Sequence, residues 1–443
     1  MSLTLILQLA VLLGAIAIGA RVGGIGMGLW GGVGLAILVF GFGAVPGSIP
    51  GEVLLIILTV IMAASAMEAA GGIDFLVRIA AKIIRKSPRH VTLIAPVVSY
   101  VFTFLAGTGH IFYPLLPVIY RVAMKGRVRP ERPIAVSTIA SQQAITASPV
   151  SAATAALIAL LGPKGISLPE ILMICIPSTL LGVVVAALIQ TRIGVELDQD
   201  PEYRRRLAAG ELTEAEEDSD ESSGVALPRG AGLSAGIFLA GVFAVVCSGL
   251  FPLVRKVGLP DAPVTVSMPM TIAIVMLAVA ASILLFTRTA PVKVVKTSTC
   301  QAGVTAVIGI LGLAWLGDTF IDANSKVIIG GLSAMAQEYP ATFALGLFVT
   351  SMLLYSQAAT TQTLMPLGLT LGIAPAALVG MFPAVNGYFF IPTYGTLIAA
   401  VNFDRSGTTR IGKYILNHSF MIPGVVSTVV AVTTGLLIGK LFF

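Results

Sequence analysis

Charge is scarce in this chain of 443 residues: Asp, Glu, Lys and Arg make up 11% of it, hydrophobic residues 56%, and mean hydropathy is +0.96. No soluble domain of that size sustains such a balance without exposing apolar surface, so the soluble classes are excluded. Cysteine is nearly missing too. Cys175, Cys247 and Cys300 lie in separate apolar runs with neither disulfide nor metal spacing, and they read as small buried hydrophobes. No basic residue precedes the first run, LTLILQLAVLLGAIAIGA, so it lacks the charged start of a secretory signal and is expected to stay as a crossing.

Acid is absent from the apolar depth. Of 21 Asp and Glu, only Glu68 lies clearly inside an apolar run, where it reads as a carboxylate reaching the interface; Asp318 sits at the outer end of another. A cation or proton carrier is expected to keep carboxylates at its site, so a neutral site points to an anion. The net charge of +6 requires no nucleic acid, because Lys and Arg gather on cytoplasmic loops for topological reasons.

What is present is a series of runs of about 18 to 25 apolar residues, each able to span a bilayer core of roughly 30 Å as a helix. The fold class is therefore an all-α polytopic membrane protein. Crossings are expected at 3–20, 24–44, 53–70, 134–161, 168–191, 232–252, 264–286, 298–317, 375–401 and 414–439. Two longer stretches, 91–120 and 340–372, decide the topology. If each enters and leaves on one side and the N-terminus lies outside, the 27 Lys and Arg divide 22 inside and 5 outside (Lys164, Arg255, Lys256, Lys326 and Lys440). If both cross, the split is 13 to 14 and the orienting bias vanishes. Both are thus expected to be re-entrant hairpins, with both termini periplasmic. Pro96, Gly107, Gly109, Pro114 and Pro117 interrupt the first, as chain lining a protein cavity can.

Five crossings and a hairpin fall before the charged tract and five and a hairpin after it, which inverts one half relative to the other. The domain plan is a first repeat, 1–191, with hairpin 91–120 and broken helix 134–161; a cytoplasmic linker, 192–231, disordered around TEAEEDSDESS; and a second repeat, 232–443, with hairpin 340–372 and broken helix 375–401. Residues 73–87 form an amphipathic interfacial helix, either joining a static to a moving part or lying passively on the membrane. GGIGMGLWGGVG, with Gly28 and Gly32 at GxxxG spacing, is explained by packing within one chain.

Polar interruptions occur in both halves: LAGTGHIF and ASQQAITASPVS in the first, LLYSQAATTQ and FPAVNGYFFIPTYG in the second. Broken helices at depth present the amides of their N-terminal ends, which attract carboxylate without a formal cation. The candidate substrate-binding residues are Thr108, Gly109, His110, Ser141, Gln142, Gln143, Thr146, Ser148 and Pro149, then Ser356, Gln357, Thr360, Thr361, Asn386, Gly387 and Tyr394. Pro149 stops helical bonding where Thr146 and Ser148 are needed. His110 could pair a carboxylate, sense pH or serve a structural bond; His418 reads as structural. No catalytic residue, metal site or cofactor is expected. A hydrolase using a serine with His110 has no G-x-S-x-G elbow to support it, and a passive channel would show no trans-stimulation.

AGTGHIFYPLLPVIY, RPERPIAVSTIASQQAITASPVSAATAAL, LGLAWLGDTFI, LLYSQAATTQTLMP and FIPTYGTLIAAVNFDRSGTTRIGKYILNHSFMIPG closely resemble the anaerobic four-carbon dicarboxylate transporter (Dcu) family of bacteria over nearly the whole chain. GTGH and RPERP look nearer to the branch that exchanges fumarate and succinate. The resemblance implies an inner-membrane antiporter taking fumarate, malate or aspartate in and succinate out. It also implies a homodimer whose hairpin-bearing part, here 91–161 and 340–401, moves like an elevator against a scaffold of the remaining crossings. Sodium-using relatives carry Ser-Asn-Thr motifs at the hairpin tips; the tips here read GTGH and SQAATTQ, which puts a sodium site in doubt. A carrier of the same build for another organic anion, or coupled to a cation, is the alternative. Whether loop 402–413 docks a regulatory partner stays open.

Overall fold

Hydrocarbon offers a backbone no hydrogen bonds, so a chain this apolar has to satisfy its own, and it does so with helices. The computed structural model describes residues 3–442 except 23–24, 48, 50, 213–226, 260–261, 339, 355, 393 and 413–415, and some residues, His110 among them, by main chain only. Among the described residues, seven helices are long and apolar enough to cross a membrane, or eight if one pair bent by 72° counts as a single span. Ten crossings are expected. Six of the seven helices fall on them, while the seventh, Pro88–Ala106, falls in the stretch expected to be a hairpin. The missing crossings lie where apolar helices stay short (Leu3–Gly19 and Gly28–Gly41) or where a break divides the span.

The chain opens with α1 (Leu3–Val22), α2 (Gly26–Ala36, continued by a π turn Ile37–Gly41) and α3 (Gly51–Ala69). After the left-handed Gly71 comes α4 (Gly72–Ile84), which buries Ile73, Leu76, Ala80, Ala81 and Ile84 and carries Arg78 and Lys82 toward the outside. Next come α5 (Val91–Ala106), a 3-10 turn Gly109–Leu115 and α6 (Leu116–Lys125). A Cβ placed on Gly126 would lie 2.5 Å from the Pro88 carbonyl oxygen, so this stretch ends beside its own beginning. The first broken helix follows as α7 (Glu131–Ala147) and α8 (Ala152–Leu161), then α9 (Leu168–Gln190).

Residues 192–212, expected to be disordered, are folded. They form a 3-10 turn Leu197–Gln199 and α10 (Pro201–Ala208), whose N-terminal amides are capped by Asp200. The physical reason is pairing: the acidic side chains of this segment meet arginines of the preceding loop, Asp198 with Arg127 and Asp200 with Arg129. The tract 213–223 lies outside the described residues.

Beyond it, α11 (Ala231–Leu250), a β-hairpin of β1 (Lys256–Leu259) and β2 (Ala262–Thr265), α12 (Met268–Thr287), the short α13 (Pro291–Val295) and α14 (Ser298–Glu338) lead to α15 (Pro340–Leu354) and α16 (Gln357–Thr370). A Cβ on Gly368 would come 2.8 Å from the Phe343 ring, so this stretch also doubles back. The second broken helix consists of α17 (Pro375–Met381), a 3-10 turn Phe382–Phe389 and α18 (Gly395–Phe403); α19 (Met421–Phe442) closes the chain. α19 begins at Met421, later than the expected 414, and Ser406, Thr408 and Thr409 are tied to Asp404 in the loop after α18.

Packing gathers most of the helices into two groups, with α8 and α16 between them, α16 lying on α14 and α8 on α3. α2 lies on α14 with Gly28 against the Ile308 carbonyl and Gly31 against Gly312, while Gly32 meets nothing within 4 Å, so the close approach uses Gly28 with Gly31. α3 packs with α12 and α14. The second group gathers α5, α7, α9, α15, α17 and α19. α9 and α19, expected on the scaffold side, pack along each other and on the broken helices. Gly182 at the Ser427 carbonyl and Gly380 at Gly435 let those backbones approach.

Candidate functional site

Pro149 denies α7 its continuation, and Ser148 is already extended, with φ −75° and ψ 129°. The chain restarts at Ser151, whose hydroxyl caps the Thr154 amide at 3.1 Å. Ser148 donates to the Phe104 carbonyl at 2.7 Å, and Ser141 pairs with Thr103 at 2.9 Å; both tie the break to α5. The tip of that arm is Gly107, with φ +69°, where a Cβ would press within 2.8 Å of the Val150 carbonyl. Only glycine fits there without strain.

The second half builds a parallel arrangement. Ser356 caps α16 through the Ala359 amide at 3.2 Å. The 3-10 turn Phe382–Phe389 has a kink at Asn386, and Ser351 accepts the Gly387 amide at 2.7 Å. At the second break, the α18 N-terminus receives no side-chain cap from Tyr394, whose ring lies 4.5 Å from that of Tyr388. His418 fixes the chain just before this break. Its Nδ1 accepts from the Phe420 amide at 3.1 Å, so the proton is on Nε2, which donates to the Phe390 carbonyl at 3.3 Å. The structural reading of His418 accords with these bonds.

Between the breaks, amide side chains form a directional relay. Gln357 donates to Asn386 Oδ1, Asn386 Nδ2 donates to Gln143 Oε1 at 3.0 Å, and Gln143 Nε2 donates to Thr428 Oγ1 at 3.1 Å. Gln357 also donates to the Gln142 carbonyl at 3.0 Å, and Gln142 reaches Thr396 Oγ1 at 3.3 Å. Thr146 lies 3.5 Å from Asn386 Nδ2, and Gly109 places its backbone against the Gln142 amide. Five separate stretches, α7, α16, the 3-10 turn after α17, α18 and α19, bring side chains together here. Every side chain in the relay is uncharged and buried. Such a cluster is a neutral, donor-rich lining that can hold carboxylate oxygens once its internal bonds open.

The expected residues divide accordingly. Gln142, Gln143, Thr146, Gln357 and Asn386 come together; Gly109, Gly387 and Tyr394 border them. Ser141 and Ser148 are occupied with α5, Pro149 forms the break, and Ser356 caps its own helix. Thr360 and Thr361 donate to the carbonyls of Ser356 and Gln357, both at 2.8 Å, within their helix. Thr108 at the tip is half-buried and engaged. The His110 side chain lies outside the described residues. Sequence reasoning missed Tyr388, Thr396 and Thr428. Tyr388 stood inside FPAVNGYFFIPTYG, whereas Thr428, one of three threonines in the last apolar run, gave no signal.

Glu68 has partners that the sequence did not reveal: its carboxylate accepts from the Ser298 and Thr299 amides at 3.1 and 3.0 Å, capping the positive end of α14.

Over residues 4–443 the sequence matches the family described as anaerobic c4-dicarboxylate membrane transporter. The chain belongs to this family. It is 42% identical over 437 residues to the C4-dicarboxylate transporter DcuA of Wolinella succinogenes, covering 99% of each chain. It is 41% identical over 439 residues to the C4-dicarboxylate transporter DcuA of Escherichia coli K12, covering 98% of this chain and 99% of the relative. To the anaerobic C4-dicarboxylate transporter DcuB of E. coli O6:H1 it is 37% identical over 444 residues, covering 98% of each. These relatives are named as transporters, which sets the hydrolase reading aside. Identity runs higher to the two DcuA relatives than to DcuB, so overall identity does not share the lean of GTGH and RPERP toward the exchange branch.

Proposed function

We propose that the protein is an antiporter of the bacterial inner membrane that brings in fumarate, malate or aspartate and releases succinate. In this reading the two series of helices are inverted repeats, both termini are periplasmic, and the stretches 91–120 and 340–372 are re-entrant hairpins. The stretches 91–161 and 340–401, joined in their packing group by α9 and α19, carry the substrate across as an elevator, working as a homodimer against the group around α2, α3, α12 and α14. What supports it is the assignment of most helices to one packing group or the other, together with the family.

The observation that carries the substrate reading is the uncharged relay Gln357, Asn386, Gln143 beside the two broken helices and the start of α16. A dianion placed there meets amide donors and the N-terminal end of α18, with no fixed cation to hold it permanently. Exchange follows from the same electrostatics, because a lining that favours the occupied form returns most readily with a counter-substrate aboard.

The test is uptake of labelled fumarate by proteoliposomes loaded with succinate, malate, aspartate, citrate or nothing, with and without sodium. Acceleration by internal succinate and indifference to sodium are expected. Uptake that needs sodium and ignores internal dicarboxylate would replace exchange with symport, and preference for citrate would replace the substrate. Gln143→Ala is expected to weaken exchange; wild-type exchange in that variant would remove the relay from the site.

A further inference from the structure

At the end of the molecule where the loops after α6, α9 and α18 meet, a set of charged side chains is buried. Arg129 bridges Glu131 at 2.9 Å and Asp200 at 3.2 Å, and all three are less than a tenth exposed. Glu131 is the first residue of α7. Its amide donates to Thr408 Oγ1 at 3.0 Å, and its carboxylate accepts from Ser419 at 2.6 Å. Thr408 in turn donates to Asp404 at 2.9 Å, and Asp404, which ends α18, also accepts from the Thr409 amide at 2.6 Å. One continuous chain of bonds therefore runs from the segment between the halves, through the start of one broken helix, to the end of the other.

Two further contacts hold that segment in place. Arg132 donates to the carbonyls of Ile193 and Gly194 at 2.9 and 3.0 Å, and Arg206 of α10 donates to the Arg405 carbonyl at 2.8 Å. Gly194 has φ +71°, and a Cβ there would overlap Arg129 Nη1 at 2.1 Å, so the approach of backbone to guanidinium requires glycine.

Buried ion pairs are poor glue, since well-packed apolar side chains of similar volume hold a fold as well or better; what a bonded set of charges does add is a single register. The register matters here because α7 and α18 both run from this cluster to the relay. Gln142 lies about 16 Å along α7 from Glu131, and Thr396 about 12 Å along α18 from Asp404. They meet in the Gln142 to Thr396 hydrogen bond. A shift at the base moves both walls of that contact.

We propose that Asp200, with Arg129 and Glu131, is a positioning group for the dicarboxylate site: the segment joining the halves sets the spacing of the two broken helices at their base. This rests on the site reading above. The test compares apparent KM and maximal rate of fumarate counterflow in proteoliposomes of the full chain, alongside thermal stability in detergent. Asp200→Asn is expected to raise KM by about tenfold with a maximal rate within about twofold, and Asp200→Glu to recover most of it. Thr408→Val, which removes no charge, is expected to raise KM in the same direction, and it decides the matter if Asp200→Asn fails to fold. Lowered thermal stability with KM unchanged in the folded variants would overturn the proposal and make the cluster structural only. Gln143→Ala, run in parallel, separates the two readings: if it leaves exchange intact the site itself is misplaced, whereas if it weakens exchange while the Asp200 and Thr408 variants behave as wild type, only the positioning role is lost.

Discussion

Asn386 and Gln143, 243 positions apart, share a hydrogen bond of 3.0 Å that joins the polar interruptions of the two halves. Asn386→Ala leaves Gln143 Oε1 without that donor and Gln357 without that acceptor. Loss of a buried partner costs about 1–3 kcal/mol, so the affinity for fumarate is expected to fall by about tenfold or more, read from counterflow KM. An unchanged KM would place the substrate elsewhere.

Thr146 and Thr361 are expected to separate. Both hydroxyls donate back to their own helix at 2.8 Å, Thr146 to the Gln143 carbonyl and Thr361 to the Gln357 carbonyl, but only Thr146 is also approached by Asn386 Nδ2, at 3.5 Å. Thr146→Ala should therefore weaken exchange by more than Thr361→Ala, by about 1 kcal/mol or roughly fivefold in KM. Equal effects in a side-by-side counterflow assay would contradict the geometry.

Gly107→Ala forces a Cβ into the left-handed region and toward the Val150 carbonyl. A cost of about 1–3 kcal/mol is expected, seen as a lower melting temperature in detergent. Gly165→Ala is the control for backbone conformation, since it has φ +89° but no neighbour within 4 Å. It should cost less.

Glu68→Gln removes a carboxylate from the α14 N-terminus while keeping its shape. A loss of about 1 kcal/mol in stability is expected, with the KM for fumarate unchanged, because the residue serves a helix end remote from the relay. A raised KM with stability intact would instead tie Glu68 to the substrate path.

Acidification should leave the side-chain pairs within α10 intact until well below neutral pH. Hydrogen bonds from Arg205 and Arg206 push the Glu202 carboxyl down to about 2, from 4.5. A lowered acid contributes its stabilisation above the unfolded value and loses it as pH falls through the folded one. Hydrogen exchange across 201–208 is thus expected to stay slow at pH 4 and to quicken toward pH 2, and Glu202→Gln should quicken it already at neutral pH. Loss of protection near pH 4.5 would count against the pairing.

Much of this molecule was legible from spacing and charge. The lengths of the apolar runs mark the helices, Pro149 marks the first break, and the basic residues on either side of 91–120 agree with a stretch that returns to Pro88. What stayed hidden depends on register between distant helices. Thr360, Thr361, Thr363 and Thr428 look alike in an apolar run. The first three donate to carbonyls one turn back at 2.8 Å, while only the packing of α19 on α7 brings Thr428 to Gln143. The linker misled for a related reason. Its composition describes solvated chain, yet Asp198, Asp200 and Glu196 find Arg127, Arg129 and Arg132, and a pairing that spans some 60 to 70 residues is invisible to a local average.

The relay of Gln357, Asn386 and Gln143 contains nothing that ionises in the ordinary physiological range. As long as Asp200 and Glu131 keep their charges on Arg129, a bend in uptake as acidity changes should come from the cargo, as its second acid group takes up a proton and the doubly charged species thins out. Guests with different acid strengths would each show their own midpoint on one and the same carrier.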